Sequence, residues 1–458
     1  MDNAHVWSLR LGFSGKQASE IKKAGIKNFL KKSYKAPLPA DEPPLINKIP
    51  HTVAESKAYK EKMGKTADGI EEMKKLLGES EYEMKAWWME KMDLGDYPLR
   101  EKMVLFWHNH FVAGKNGVNL LYWQYQHNKL LRENAFSNFR DLTKKVLQTN
   151  AIVEYLDNNR NRKGGYNENL SRELLELFTI GTGNYTEQDI KNGAKGLAGL
   201  TTSDDKAHYA EQKENNEPFI YLGKTGNFKS DEMVDIIFEQ KAAPYHITRK
   251  ILRWFIYDNP PEALVQYYGD YMRKVDYEIK PFLIKMFTEE YEKPTAGSKI
   301  KDPLIYILQL INELGFKNID YKLLQFFIRN QGMDLYNQLN VKGWDGGRSW
   351  ITAQLFIQRN NAADQLCKGR LLNNSVQKSA NGEPESKAKP KIVFDTGNGS
   401  TAVIESLKNR LLFTTDTTLE ESFKKIVPHD FDPKTPSAEN GVLRLFNYII
   451  KTPEFQLI

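Results

Sequence analysis

The sharpest chemical string in the sequence is Trp107-His108-Asn109-His110-Phe111. Neutral imidazoles ligate metal ions and act as general bases near neutral pH. On a continuous helix of 3.6 residues per turn, His108 and His110 point about 200° apart, so one ion cannot take both. They converge only if a helix ends near His108, which Gly114 and Gly117 downstream permit. His127, on one helical face with Trp123, is a candidate third ligand. The competing reading is a packed helix end whose imidazoles bond to backbone carbonyls.

Residues 168–180 read as an amphipathic helix with Leu170, Leu174, Leu177 and Phe178 as its apolar stripe. Glu168, Arg172 and Glu176 follow at four-residue steps, and Glu173 stands three before Glu176. Exposed, such a ladder stabilises a helix by a few tenths of a kcal/mol per pair. Buried, it fixes one packing arrangement at a desolvation cost. Facing His108 or His110, Glu173 or Glu176 would complete an acid–base pair or a metal site. The candidate catalytic set is therefore His108, His110, Glu168, Arg172, Glu173 and Glu176. The candidate metal set is His108, His110, Glu173 and Glu176, and a divalent metal is the cofactor it would take.

Three further strings carry chemistry. Asp157, Asn159, Asn161 and Glu168 fall at positions 1, 3, 5 and 12 of a calcium-loop pattern. Against it, Arg162 stands where a glycine should turn the chain, and Arg160, Arg162 and Lys163 surround the ion with cations. Asn-rich turns, with Asn167 capping the next helix, are the stronger reading. In Gly343-Trp344-Asp345-Gly346-Gly347-Arg348-Ser349-Trp350, Gly346 and Gly347 permit positive φ and Ser349 could cap the following helix. Backbone N–H groups there, with Arg348, could hold a sulfate, phosphate or carboxylate. The alternative is a tight turn locked by two tryptophans. Gly223-Lys224-Thr225 looks like the end of a phosphate-binding loop, but Pro218 replaces the earlier glycine, so no nucleotide is expected.

These strings need elements to position them. The chain has 458 residues, 40% of them hydrophobic, enough for a sizeable core. Lys plus Arg is 65 and Asp plus Glu is 59, so the net charge is 65 − 59 = +6. That is too small a bias to imply a nucleic-acid surface. The single cysteine, Cys367, excludes an internal disulfide and zinc sites built on several cysteines. No apolar run is long enough to span a bilayer and no signal peptide opens the chain, so the cytoplasm is the default expectation. Export after processing would leave the same sequence.

Helical spacing dominates. Residues 68–93 form an amphipathic pattern interrupted at Gly78, and further helices are expected near 118–132, 136–148, 186–198, 230–239, 243–257 and 261–273. More follow near 278–289, 301–313, 319–330 and 349–358. Thr186 before Asp189 and Thr418 before Glu421 resemble capping boxes. The fold class is mostly α, a multi-helix array with one short irregular or hairpin segment near 201–229. A main helical body over 1–372, a flexible insertion or linker over 373–399 and C-terminal helices over 400–458 are expected. Lysines crowd residues 16–35, where Gly25 divides two short helices; a solvated face is favoured over an anionic partner. Tyr122, Trp123 and Tyr125 read as core rather than as a stacking platform for a sugar or base.

Several strings together resemble an uncharacterised bacterial family, domain of unknown function 1800. They are His5 to Phe13, Lys102 to Phe111, Asn134 to Asp141, Tyr155 to Asn158, Asn167 to Leu177, Gly183 to Glu187, Leu222 to Phe228, and Val341 to Ile351. The resemblance implies a soluble, mostly helical protein with no established reaction. It also implies a shared process with a sulfatase- or phosphatase-like protein encoded nearby. This chain departs from the family pattern at Phe178, where a histidine is common, and around His208-Tyr209, where a His-Asp string is common. Two function classes follow: a helical binding or assembly partner of such a protein, or a hydrolase with a His/Glu/Arg site.

Overall fold

The computed structural model describes residues 1–370, 389–397, 399–435 and 438–458. Twenty-one α-helices and two small antiparallel hairpins lie among the described residues, so the chain is mostly α. Most of the expected insertion, residues 373–388 and 398, lies outside the described residues.

The helix Leu99–His110 is buried almost all round; only Arg100 and Asn109 are partly exposed. A helix without a polar face must sit at the centre of a packed body. It packs on Leu121–Glu133, on Ala67–Leu94 and on Ile26–Lys35. Ala67–Leu94 runs unbroken through Gly78, where an added Cβ would meet nothing within 4 Å, so the expected interruption does not occur. Its first turns are exposed and its last half is buried. One apolar cluster links Val6 and Trp7 near the start of the chain to Phe455 and Ile458 near its end. The C-terminal helix Ala438–Ile450 joins it by packing on Ala353–Cys367.

Local sequence explains several boundaries. Gly25, at φ +76°, separates the helices Ala18–Ala24 and Ile26–Lys35 as the lysine-rich stretch predicts. Thr186 and Asp189 form the expected capping box. Thr418 does not cap: Asp416 accepts from the Leu419 N–H and starts the helix Thr417–Ile426 two residues earlier. The segment near 201–229 holds two hairpins rather than one, Leu200–Thr201 with His208–Tyr209 and Phe219–Tyr221 with Lys224–Gly226. Leu222 and Gly223, both at positive φ, make the tight corner of the second. Gly223-Lys224-Thr225 is therefore a hairpin corner with no helix following it directly.

Candidate functional site

The helix Leu99–His110 runs to its last histidine, so His108 and His110 diverge. His108 faces the core. Its Nε2 accepts the Tyr336 N–H at 3.2 Å, and its ring lies edge-on to Trp88 and Tyr336. Its Nδ1 therefore carries the proton. Burial drives its pKa well below the ordinary histidine value, and the charges of His127 and Arg132 push the same way. His127 donates from Nε2 to the Phe111 carbonyl and touches Thr149, so it does not join a common centre with the other two.

His110 sits at the helix end, beside the acidic helix. That helix begins as Asn169–Glu173 and continues as a π-helix over Leu174–Thr179. Its C-terminal carbonyls lack helical partners and must find donors elsewhere. His110 Nε2 donates to the Phe178 carbonyl at 3.0 Å. His246 Nε2 and Lys250 Nζ both donate to the Leu177 carbonyl, at 3.0 and 2.8 Å. Gly181, at φ +80°, lets the chain leave past His246, whose Nδ1 would lie 2.7 Å from an added Cβ. The expected meeting of imidazole and acidic helix does occur, but through backbone carbonyls. A π-turn at such a place is a recurrent mark of functional sites.

The carboxylates point elsewhere. Arg172 pairs with Glu168 and with Glu187, which lies outside the predicted ladder. Glu176 accepts from the Tyr185 hydroxyl at 2.9 Å. Glu173 is half-buried, and burial followed by the Glu176 charge raises its pKa. The expected joining of His108 and His110 with Glu173 and Glu176 is thus corrected: a straight helix separates the imidazoles, and both His110 nitrogens are held by protein groups. No group of three or more His, Cys, Asp or Glu among the described residues is arranged to hold a metal ion.

The calcium-loop reading is corrected in the same way. Asn161 is buried and donates to Asn158 and the Ala194 carbonyl, while its own oxygen accepts the Asn167 N–H. The Asn159 oxygen accepts from Thr201 and Thr202. Asp157 takes positive φ and faces Arg160, and Glu168 faces Arg172. The oxygens are spent on separate partners. Asn167 Oδ1 accepts the Asn169 N–H one residue ahead of the N-cap position, Glu168, whose own side chain makes no cap.

What His110 reaches instead is a lysine. Lys250 Nζ lies 3.2 Å from His110 Nδ1, the nitrogen left without a proton by the bond to Phe178. Both line a small open cleft with Phe106, Asn109, Arg253, Trp254, Asp258 and Lys299. Lys342, Trp344, Asp345, Gly346, Gly347 and Trp350 close its other side. Burial lowers the Lys250 pKa to about 7, helped by the Arg253 charge. Burial also holds His110 well below its ordinary value, and the Lys250 charge adds to this. Lys299 is neutralised by Asp258 at 3.4 Å and donates to the Arg253 carbonyl. Arg253 donates to the Asp345 carbonyl, and Lys342, whose charge acts on the half-buried Glu173, makes no direct side-chain hydrogen bond or ion pair among the described residues.

Half of the glycine-rich string belongs here. Gly346 and Gly347 line the cleft, but Arg348 and Ser349 are exposed and lie outside it. Ser349 does not cap the next helix: its hydroxyl donates to the Gly346 carbonyl, and Thr352 caps Ala353–Cys367. The loop is tied down by Asn109, whose Oδ1 accepts the Trp344 N–H at 2.7 Å. Gly343, at φ +84°, is required there, because a Cβ would lie 2.3 Å from that same oxygen.

Lys250, Arg253, Asp258, Lys299, Lys342 and Asn109 are the residues that motif reading missed. A signal existed for the first. His246, Lys250 and Trp254 recur at four-residue steps on Ala243–Phe255, whose core stripe of Ile247, Ile251, Leu252 and Phe255 is complete without them. Residues 6–457 match the model of a family described as a protein of unknown function, DUF1800. The chain belongs to that family. No curated protein and no solved structure matches it.

Proposed function

We propose that this protein binds a small anionic ligand with an apolar or ring-shaped body in the cleft above His110 and Lys250. One observation carries the reading. Arg253 and Lys342 line an open cleft and form no direct ion pair among the described residues, although Asp345 lines the same cleft and Glu173 feels the Lys342 charge, while Lys299 is already neutralised by Asp258. Cations left unpaired around a concave space attract negative charge, and a charge-assisted bond there is worth more than one in water. Phe106, Trp254, Trp344 and Trp350 line the cleft and offer ring edges to the rest of the ligand. A sulfate or phosphate ester of a ring compound combines both features. Such esters are what a sulfatase- or phosphatase-like partner would handle, so the binding role implied by the family resemblance fits this cleft. Glu168, Arg172, Glu173 and Glu176 do not line the cleft, so a hydrolase using them has less support.

Calorimetric titration with 4-nitrophenyl sulfate, and with inorganic sulfate and phosphate, tests the reading. Binding is expected, and Lys342→Ala or Arg253→Ala should weaken it by about ten-fold, the worth of one charge-assisted hydrogen bond. Absence of binding, or variants that bind like the unaltered protein, would refute the assignment.

A further inference from the structure

We propose that Lys250 is a nucleophile whose amine condenses with the carbonyl of an anionic aldehyde or keto acid held in the cleft. The inference rests on the anion-binding reading above and adds a reaction to it. An uncharged lysine amine has two N–H bonds and one lone pair. Lys250 Nζ has two acceptors in reach, the Leu177 carbonyl at 2.8 Å and His110 Nδ1 at 3.2 Å. Each is obliged to accept: a carbonyl has no proton, and His110 has spent its own on Phe178. Both N–H bonds are thereby held against the protein, and the lone pair is directed away from them. Lys250 lines the cleft, so the free side of the amine opens onto the space where a ligand would lie.

The surrounding charges keep the amine uncharged and the ligand close. His110 and the Leu177 carbonyl face Lys250 from neighbouring elements, while His246 and Arg253 stand on its own helix. Asp258, Lys299, Lys342 and Asp345 line the same cleft. With its pKa near 7, a large fraction of Lys250 is neutral at neutral pH, whereas ordinary surface lysines are almost wholly charged. A desolvated lysine beside another cation is an established way of activating an amine. Arg253 and Lys342 would hold the anionic group while Lys250 meets the carbonyl.

The step balances without an oxidant or reductant. The Nζ lone pair forms a bond to the carbonyl carbon, whose oxygen becomes a hydroxyl as Nζ gives up a proton. The C–O bond then breaks, the oxygen leaves as water with a second Nζ proton, and a C=N bond forms. His110 Nδ1 is the neighbouring lone pair that can carry a proton from nitrogen to oxygen.

The test is reductive trapping on the full chain. The protein is incubated with glyoxylate and cyanoborohydride across a pH series, and carboxymethylated lysines are located by peptide mass spectrometry. Lys250 should be labelled at least about ten-fold faster than surface lysines at neutral pH. Its rate should reach half its maximum near pH 7, and sulfate should slow it. Lys250→Arg, checked for folding by circular dichroism, should remove that fast label alone. Labelling at Lys250 no faster than at the surface, with sulfate binding intact, would overturn the nucleophile and leave the binding reading standing. No fast label and no sulfate binding would overturn both. Fast labelling at Lys250 without sulfate binding or competition would keep the nucleophile and remove the anion site.

Discussion

His108 and His110 stand two residues apart on one helix and live in different environments. His108 is sealed among Trp88, Tyr336 and the buried pair of Glu101 with Arg132, and meets the cleft only through the inner side of Trp344. His110 meets the carbonyl end of a π-helix and a lysine that opens onto a cleft. Asn109, between them, tethers the glycine-rich loop. Three adjacent side chains thus do three separate jobs, because successive residues on a helix point about 100° apart. Identical residue type carries no common role; the side of the helix decides it.

The contrast can be broken hardest on the sealed side. Glu101 accepts from Arg132 at 2.7 Å and from Trp88 Nε1 at 2.8 Å, all buried. Glu101→Ala should cost about 3–5 kcal/mol in urea unfolding, because it leaves a buried guanidinium unpaired. Sulfate affinity of the fraction that remains folded should not change.

Acid should act next. Burial lowers the His127 pKa to about 4, and His108 and His110 also lie well below 6.5. The folded state prefers these rings neutral, while the unfolded chain protonates them from about pH 6.5 downward. Their stabilisation is therefore complete above that pH and is lost as pH falls, for His127 toward about 4. Unfolding free energy should drop by about 2 kcal/mol between pH 7 and 5 on account of His127, with His108 and His110 adding to the fall. His127→Gln should flatten that slope.

A smaller effect sharpens the cleft side. Asn109→Ala removes the acceptor of the Trp344 N–H and should cost about 1 kcal/mol of stability. It should weaken 4-nitrophenyl sulfate binding several-fold in the same calorimetric titration. If stability falls and binding holds, the loop does not shape the cleft. Least of all should come from Arg172→Ala. Its bonds to Glu187 and Glu168 raise its pKa, yet the group is about a third exposed, and exposed pairs contribute little. The urea midpoint and the binding constant should both stay within measurement scatter.

Much of the fold was legible because helix signals are local. The spacing of Ile247, Ile251, Leu252 and Phe255, the capping box at Thr186 and the break at Gly25 each follow from residues within one or two turns. The divergence of His108 and His110 also followed from helix geometry alone. The hairpin corner at Leu222 and the cap at Asp416 were harder, since competing local choices lay within a residue or two. The site itself was half legible. Gly346 and Gly347 stood out as permissive backbone, but Lys250 did not, because one lysine among the 65 Lys and Arg residues carries no local mark of burial.

Residue types and spacing by themselves determined that this chain is helical, that His108 and His110 cannot share an ion on one helix, and that a glycine-rich loop must turn sharply. Only the tertiary structure decided which side chains meet. It brought Lys250 to His110 across 140 residues and Asn109 to Trp344 across 235. The physical reason is range. Propensity and periodicity act over a few residues, whereas burial, which strips a lysine of water and shifts its proton, depends on everything that packs around it.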